Sequence, residues 1–139
     1  ELALYVVIYS PLQMVADLPE NLEGQPGMQW VRDVPVDWSD SQVLNGEVGE
    51  YVTIVRKGKD TDNWFLGAIA DQNGRELEVA LDFLDEGDYR AVFYEDAPDA
   101  HWDTNPQAMV IRQETVSRDG ALNLRLAPGG GVAIAFFKE

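Results

Sequence analysis

The chain contains no cysteine and a single histidine, His101, among its 139 residues. The missing thiols exclude disulfides, thiolate zinc sites and cysteine nucleophiles, while leaving the redox compartment open. One histidine excludes a multi-histidine metal centre built from this chain alone. Basic residues are also scarce: 10 Lys and Arg stand against 25 Asp and Glu, a formal net charge of −15. No Lys/Arg cluster is available to replace phosphate counterions, so nucleic acid is not an expected partner. An anionic membrane surface is disfavoured for the same reason. The longest apolar run, Leu2 to Tyr9, is interrupted at Ser10-Pro11. It is too short to span a bilayer and lacks the positive flank of a signal peptide.

What the chain does have is an apolar share of 45%, enough for a folded domain rather than an acidic tail. Its length fits a single domain with one ordinary core. At the start, Leu4, Ile8, Leu12 and Val15 fall on one helical stripe, with Tyr5, Tyr9 and Ala16 near its flank. This spacing predicts a helix over residues 1 to 17, broken near Pro11 and ended by Asp17-Leu18-Pro19. A helix apolar on most faces needs protein on most faces. On pattern alone two readings stand. The segment is either the end of a larger upstream domain or a native N-terminal helix packed into its own domain, with or without a partner subunit.

After the loop Glu23-Gly24-Gln25-Pro26-Gly27, no helical period is expected to return. Short β-type runs follow at residues 43–48, 51–55, 64–70, 76–81, 89–94, 109–115, 122–126 and 132–137. Lys57-Gly58, Asn73-Gly74, Glu86-Gly87 and Asp119-Gly120 punctuate them with turn chemistry. Eight short strands without helical crossovers predict a mostly β fold, an antiparallel sandwich or barrel. The irregular stretch from Glu95 to Gln107 is long for a compact domain, and such loops are often functional.

Candidate chemistry is thin. Asp60-Thr61-Asp62-Asn63 resembles the start of a calcium loop, but Phe65 stands where an EF-hand needs glycine and Asp71 where it needs glutamate. A solvated hairpin loop is the better reading. Asp99, His101 and Asp103 bring an imidazole near two carboxylates, yet no serine sits in a nucleophile-elbow context. Gly129-Gly130-Gly131 lies between two strands rather than opening a helix, so it reads as a turn and not a phosphate cradle. Four tryptophans raise sugar stacking. Trp64 belongs to a strand core. Trp30 and Trp38 bracket a Pro-containing segment, and Trp102 in the long acidic loop is the best exposed platform. Trp102, His101, Trp30 and Trp38 are therefore the candidate sugar or interdomain contacts. No catalytic, cofactor or metal residue is assigned.

An ordered series of segments carries a family resemblance. Tyr9-Ser10-Pro11-Leu12-Gln13-Met14-Val15-Ala16-Asp17-Leu18-Pro19-Glu20-Asn21 resembles the segment leaving the catalytic barrel in glycoside hydrolase family 97, bacterial α-glucosidases and α-galactosidases. Arg32 to Trp38, Gly49 to Ile54, Trp64 to Ile69 and Leu126 to Ile134 resemble that family's C-terminal domain in the same order. The resemblance implies a parent with an N-terminal β super-sandwich, a (β/α)8 barrel and a C-terminal β domain. Residues 1–25 would then be the barrel's last helix and linker, and 26–139 the C-terminal β-sandwich. It implies a packing and oligomerisation module whose partners are its own barrel, further subunits and the parent's carbohydrate substrate. It also implies that the parent's calcium and catalytic glutamates lie upstream of Glu1, and that the protein is periplasmic or secreted. The alternative function is a carbohydrate-binding module for α-glucan or galactoside chains. A barrel helix stripped of its barrel further predicts that removing residues 1–17 improves solubility.

Overall fold

The computed structural model describes residues 1–139. Three short helices, α1 (Leu4–Val7), α2 (Pro19–Leu22) and α3 (Met28–Asp33), precede eight strands. These are β1 (Trp38–Glu47), β2 (Tyr51–Gly58), β3 (Trp64–Ala70), β4 (Arg75–Ala80), β5 (Asp88–Asp96), β6 (Met109–Ser117), β7 (Ala121–Leu126) and β8 (Gly131–Lys138). They form a six-stranded antiparallel sheet in the order β1-β2-β3-β8-β5-β6 and a two-stranded sheet of β4 and β7. The two layers make an open sandwich, with β1 and β6 as free edges of the larger sheet.

Sequence periodicity explains the layering. In β7, buried Leu122, Leu124 and Leu126 alternate with exposed residues, the period-2 pattern of a strand with one face in the core and one in water. β3 and β8 are instead buried almost continuously, Trp64 to Ala68 and Val132 to Phe136, as strands covered on both faces must be. One cover is the small sheet: Leu66, Phe93, Ile134 and Phe136 pack against Val79, Leu122, Leu124 and Leu126. The other cover is the N-terminal segment, where Ala3, Val6, Trp30 and Val34 lie on Phe65, Val92, Tyr94, Ala133 and Ala135. At the closest approach an added Cβ on Gly67 would stand 2.5 Å from the Ala3 carbonyl oxygen. Only glycine lets the helix backbone descend so far onto the strand.

Three expectations are corrected. The helix predicted over residues 1 to 17 is a single turn, Leu4–Val7, and residues 9–17 have no regular structure. Ser10 and Pro11 stop it, and the following apolar residues are solvent-facing rather than helical. Helix does return beyond the Gly/Pro loop, as α3, because one apolar turn suffices to carry Trp30 and Val34 onto the sheet. Lys57-Gly58 is not a turn but the end of β2; the chain reverses at Lys59 to Asn63, with Asp60 at φ 57°.

Candidate interaction surface

The long loop between β5 and β6 presents Trp102 with 57% of its surface exposed. Its frame is braced at several points. His101 and Asn105 form an isolated antiparallel bridge. The Asn105 side-chain amide donates to Asp99 at 3.0 Å, and Arg125 donates to the Pro98 carbonyl at 3.1 Å. The Trp102 N–H donates to the Pro128 carbonyl at 3.4 Å. His101 stacks beside the indole with ring centroids 5.7 Å apart. The Asp99 carboxylate takes the Asn105 amide, while His101 Nδ1 accepts the Asp103 backbone N–H at 3.2 Å. The Asp-His-Asp spacing therefore builds loop structure.

The other two tryptophan candidates differ in kind. Trp30 is 0% exposed, edge-on to Phe65 and Tyr94 at 5.9 and 5.6 Å. It offers no ring face to a sugar or a neighbouring domain, since the outer core needs its full volume. Trp38 is half-buried at the start of β1, edge-on to Phe65 with ring centroids 5.8 Å apart. At the Asp60–Asn63 loop, Lys57 already sits 3.4 Å from Asp62 and 2.7 Å from Asp85. The Lys57 hydrogen bond holds the Asp85 carboxyl below its ordinary range. No three His, Asp or Glu side chains are grouped closely enough to share a metal ion.

Apolar surface lies elsewhere. Ile8, Leu12, Met14 and Leu18 are exposed along the irregular N-terminal strap. The Tyr5 hydroxyl donates to the Met14 carbonyl at 3.4 Å, and Ser10 bonds locally to Leu12. At the β1–β2 turn an open hollow of about 570 Å³ is lined by Val43, Tyr51, Val52, Ile69 and their neighbours, with Val48 fully exposed on its lip. Its carboxylate rim is partly neutralised: Arg75 pairs with Glu50 and approaches Asp71 at 3.8 Å, its guanidinium 4.8 Å from the Tyr51 ring. Sequence reasoning missed this hollow. The available signal was a lone valine, Val48, between Glu47 and Gly49 in a polar turn.

Exposed apolar anchors of this kind mark interaction surfaces, and comparison with known proteins places the chain in a family. Residues 37–137 match the family described as glycosyl-hydrolase 97 C-terminal, oligomerisation. The chain belongs to this family. A retaining α-galactosidase of Bacteroides thetaiotaomicron is 36% identical over 135 residues, which is 96% of this chain and 20% of that protein. A family 97 glycoside hydrolase from Pseudoalteromonas sp. strain K8, solved with acarbose, superposes with a TM-score of 0.96 at 42% identity. That match covers 99% of this chain and 22% of the solved one. A β-arabinopyranosidase at 24% identity and TM-score 0.76, covering 96% of this chain and 20% of its own, shares the fold alone. This family 97 C-terminal chain thus spans about a fifth of the length of the relatives it matches.

Proposed function

We propose that the chain is the non-catalytic C-terminal module of a glycoside hydrolase that cleaves α-glucosidic or α-galactosidic bonds. In this reading it packs on the enzyme's own (β/α)8 barrel and aids subunit association, and the calcium and catalytic carboxylates belong to the upstream part. The observation that carries the reading is the run of exposed apolar side chains Ile8, Leu12, Met14 and Leu18 in a chain that matches a C-terminal oligomerisation family. Such a run needs protein over it. The test is hydrolysis of aryl α-glucosides and α-galactosides by the 139-residue chain beside the full-length protein. Turnover is expected only from the longer protein, with its oligomeric mass reduced when residues 26–139 are deleted. Turnover by the short chain overturns the reading. A periplasmic or secreted location belongs to the same proposal, and cell fractionation tests it.

One observation favours a second reading, sugar binding. Trp102 stands exposed on a braced loop with its indole beside the His101 ring, an aromatic platform of the kind on which a sugar ring stacks. Affinity electrophoresis against starch and galactomannan decides it. Retardation that disappears in Trp102→Ala supports binding, and unretarded wild-type chain rejects it.

A further inference from the structure

The hollow at the β1–β2 turn lies on a definable side of the molecule. Along β3, Phe65 and Ile69 pack with the outer cluster, and Gly67 between them lies under Ala3 and Val6. Ile69 faces Val52 across the β2–β3 ladder, and Val43 faces Ile54, itself part of the outer cluster. Val43, Val52 and Ile69 therefore continue the same face on which α1 lies. The hollow opens where the cover supplied by α1 ends, two residues or roughly 7 Å along β3 from Gly67. Tyr9 stays on this face as well: its ring lies 5.8 Å from the Arg56 guanidinium, which donates to the Val6 carbonyl at 2.7 Å.

We infer that this outer-face hollow, with Val43 and Val48 as its anchors, is the seat of the upstream catalytic part of the same polypeptide rather than of a second copy. The inference rests on the accessory-module reading and adds to it the docking surface. Two facts select the occupant. The family is described as C-terminal and the chain covers 22% of its solved relative, so most of that relative's length lies outside the matched region. In a protein built likewise, the upstream chain reaches this domain through residues 1–3, directly on the outer face. Charge is the second. Two copies meeting hollow to hollow would oppose their Glu47 residues, which no cation pairs. A different surface of the same polypeptide avoids that self-opposition, and the Arg75 pairing of Glu50 lowers the desolvation cost at the rim.

The experiment uses the full-length protein with Val43→Asp and Val48→Asp, singly and together. Both side chains are exposed, so the substitutions leave this domain's core intact. Ile111→Asp, on the exposed β6 edge, is the control. Calorimetry of the wild type is expected to show one coupled transition. The double variant should separate it into two and speed proteolytic cleavage upstream of residue 19 by roughly tenfold, with the control unchanged. A double variant with transition and cleavage as in wild type overturns the inference. So does a loss of oligomeric mass with coupling intact, since the hollow then seats another copy. Two independent transitions in the wild type remove the accessory-module reading itself, and the docking surface with it.

Discussion

Gly67→Ala probes whether the N-terminal segment belongs to the structure of this domain. The new methyl would stand 2.5 Å from the Ala3 carbonyl oxygen, 3.1 Å from Val6 Cβ and 3.2 Å from a Val7 methyl. Ordinary contact begins near 3.4 Å, so α1 must lift by about 1 Å at its closest point. The lift loosens Ala3 and Val6 on Phe65 and strains the 2.7 Å bond from Arg56 to the Val6 carbonyl. Overpacking of this kind costs about 1–3 kcal/mol, offset by roughly 0.5–1 kcal/mol from replacing glycine within a strand. A net loss of about 1–2 kcal/mol, or about 4–8 °C in Tm, is expected. Urea denaturation followed by tryptophan fluorescence reads it, since Trp30 and Trp64 are buried. The decisive comparison repeats the substitution in a chain lacking residues 1–7. There the clash has no partner, and Gly67→Ala should become neutral or stabilising. An equal loss in both backgrounds, or a gain in both, refutes the seating of α1 on β3.

Removal of residues 1–8 uncovers Phe65 and its neighbours, so dye binding and aggregation should rise; a more soluble product would show that the segment covers nothing. This reverses, for residues 1–8, the expectation from the barrel-helix reading that removing residues 1–17 improves solubility. Asp96 accepts the backbone N–H groups of Ala127 and Gly131 at 3.1 and 2.8 Å, with Gly130 too close beneath it for any side chain. Asp96→Ala should cost about 2–3 kcal/mol in urea titration, and a loss below ~0.5 kcal/mol would sink that assignment. For the Lys57–Asp85 pair, the carboxyl is lowered from 3.8 and the amine raised from 10.5, each first by their mutual hydrogen bond. The acid's contribution is present above about pH 4 and lost as pH falls through its folded value. The amine's is present below about pH 10 and lost above its own. Asp85→Asn should therefore flatten the fall in Tm between about pH 5 and 3, by less than ~1 kcal/mol because the pair is partly exposed. A wild-type slope in the variant counts against the pair.

Much of the fold was legible because strands write their burial into sequence with period 2. The alternation of Leu122, Leu124 and Leu126 matches their burial in a one-sided strand, and the unbroken apolar runs of β3 and β8 match strands covered on both faces. The N-terminus was misread because apolar residues from Ala3 to Leu18 answer to two demands at once. Ala3 and Val6 bury against this domain, while Leu12, Met14 and Leu18 remain exposed. Helical spacing cannot separate them. The tryptophans divide likewise: the strand run marked Trp64 as core and the long acidic loop marked Trp102 as exposed, while nothing local showed that Trp30 is buried.

By itself the sequence determined the exclusion of thiol and multi-histidine chemistry, the strand inventory and most turns, all properties of residue type and near-neighbour spacing. It also placed the chain in family 97 by resemblance, which the family match bears out. The tertiary structure alone decided that β8 lies between β3 and β5, that Gly67 receives a helix backbone, and that Val43, Val52 and Ile69 share an open hollow. Those facts depend on pairings between residues far apart in the chain, where sheet order, and not local period, determines which side chains meet.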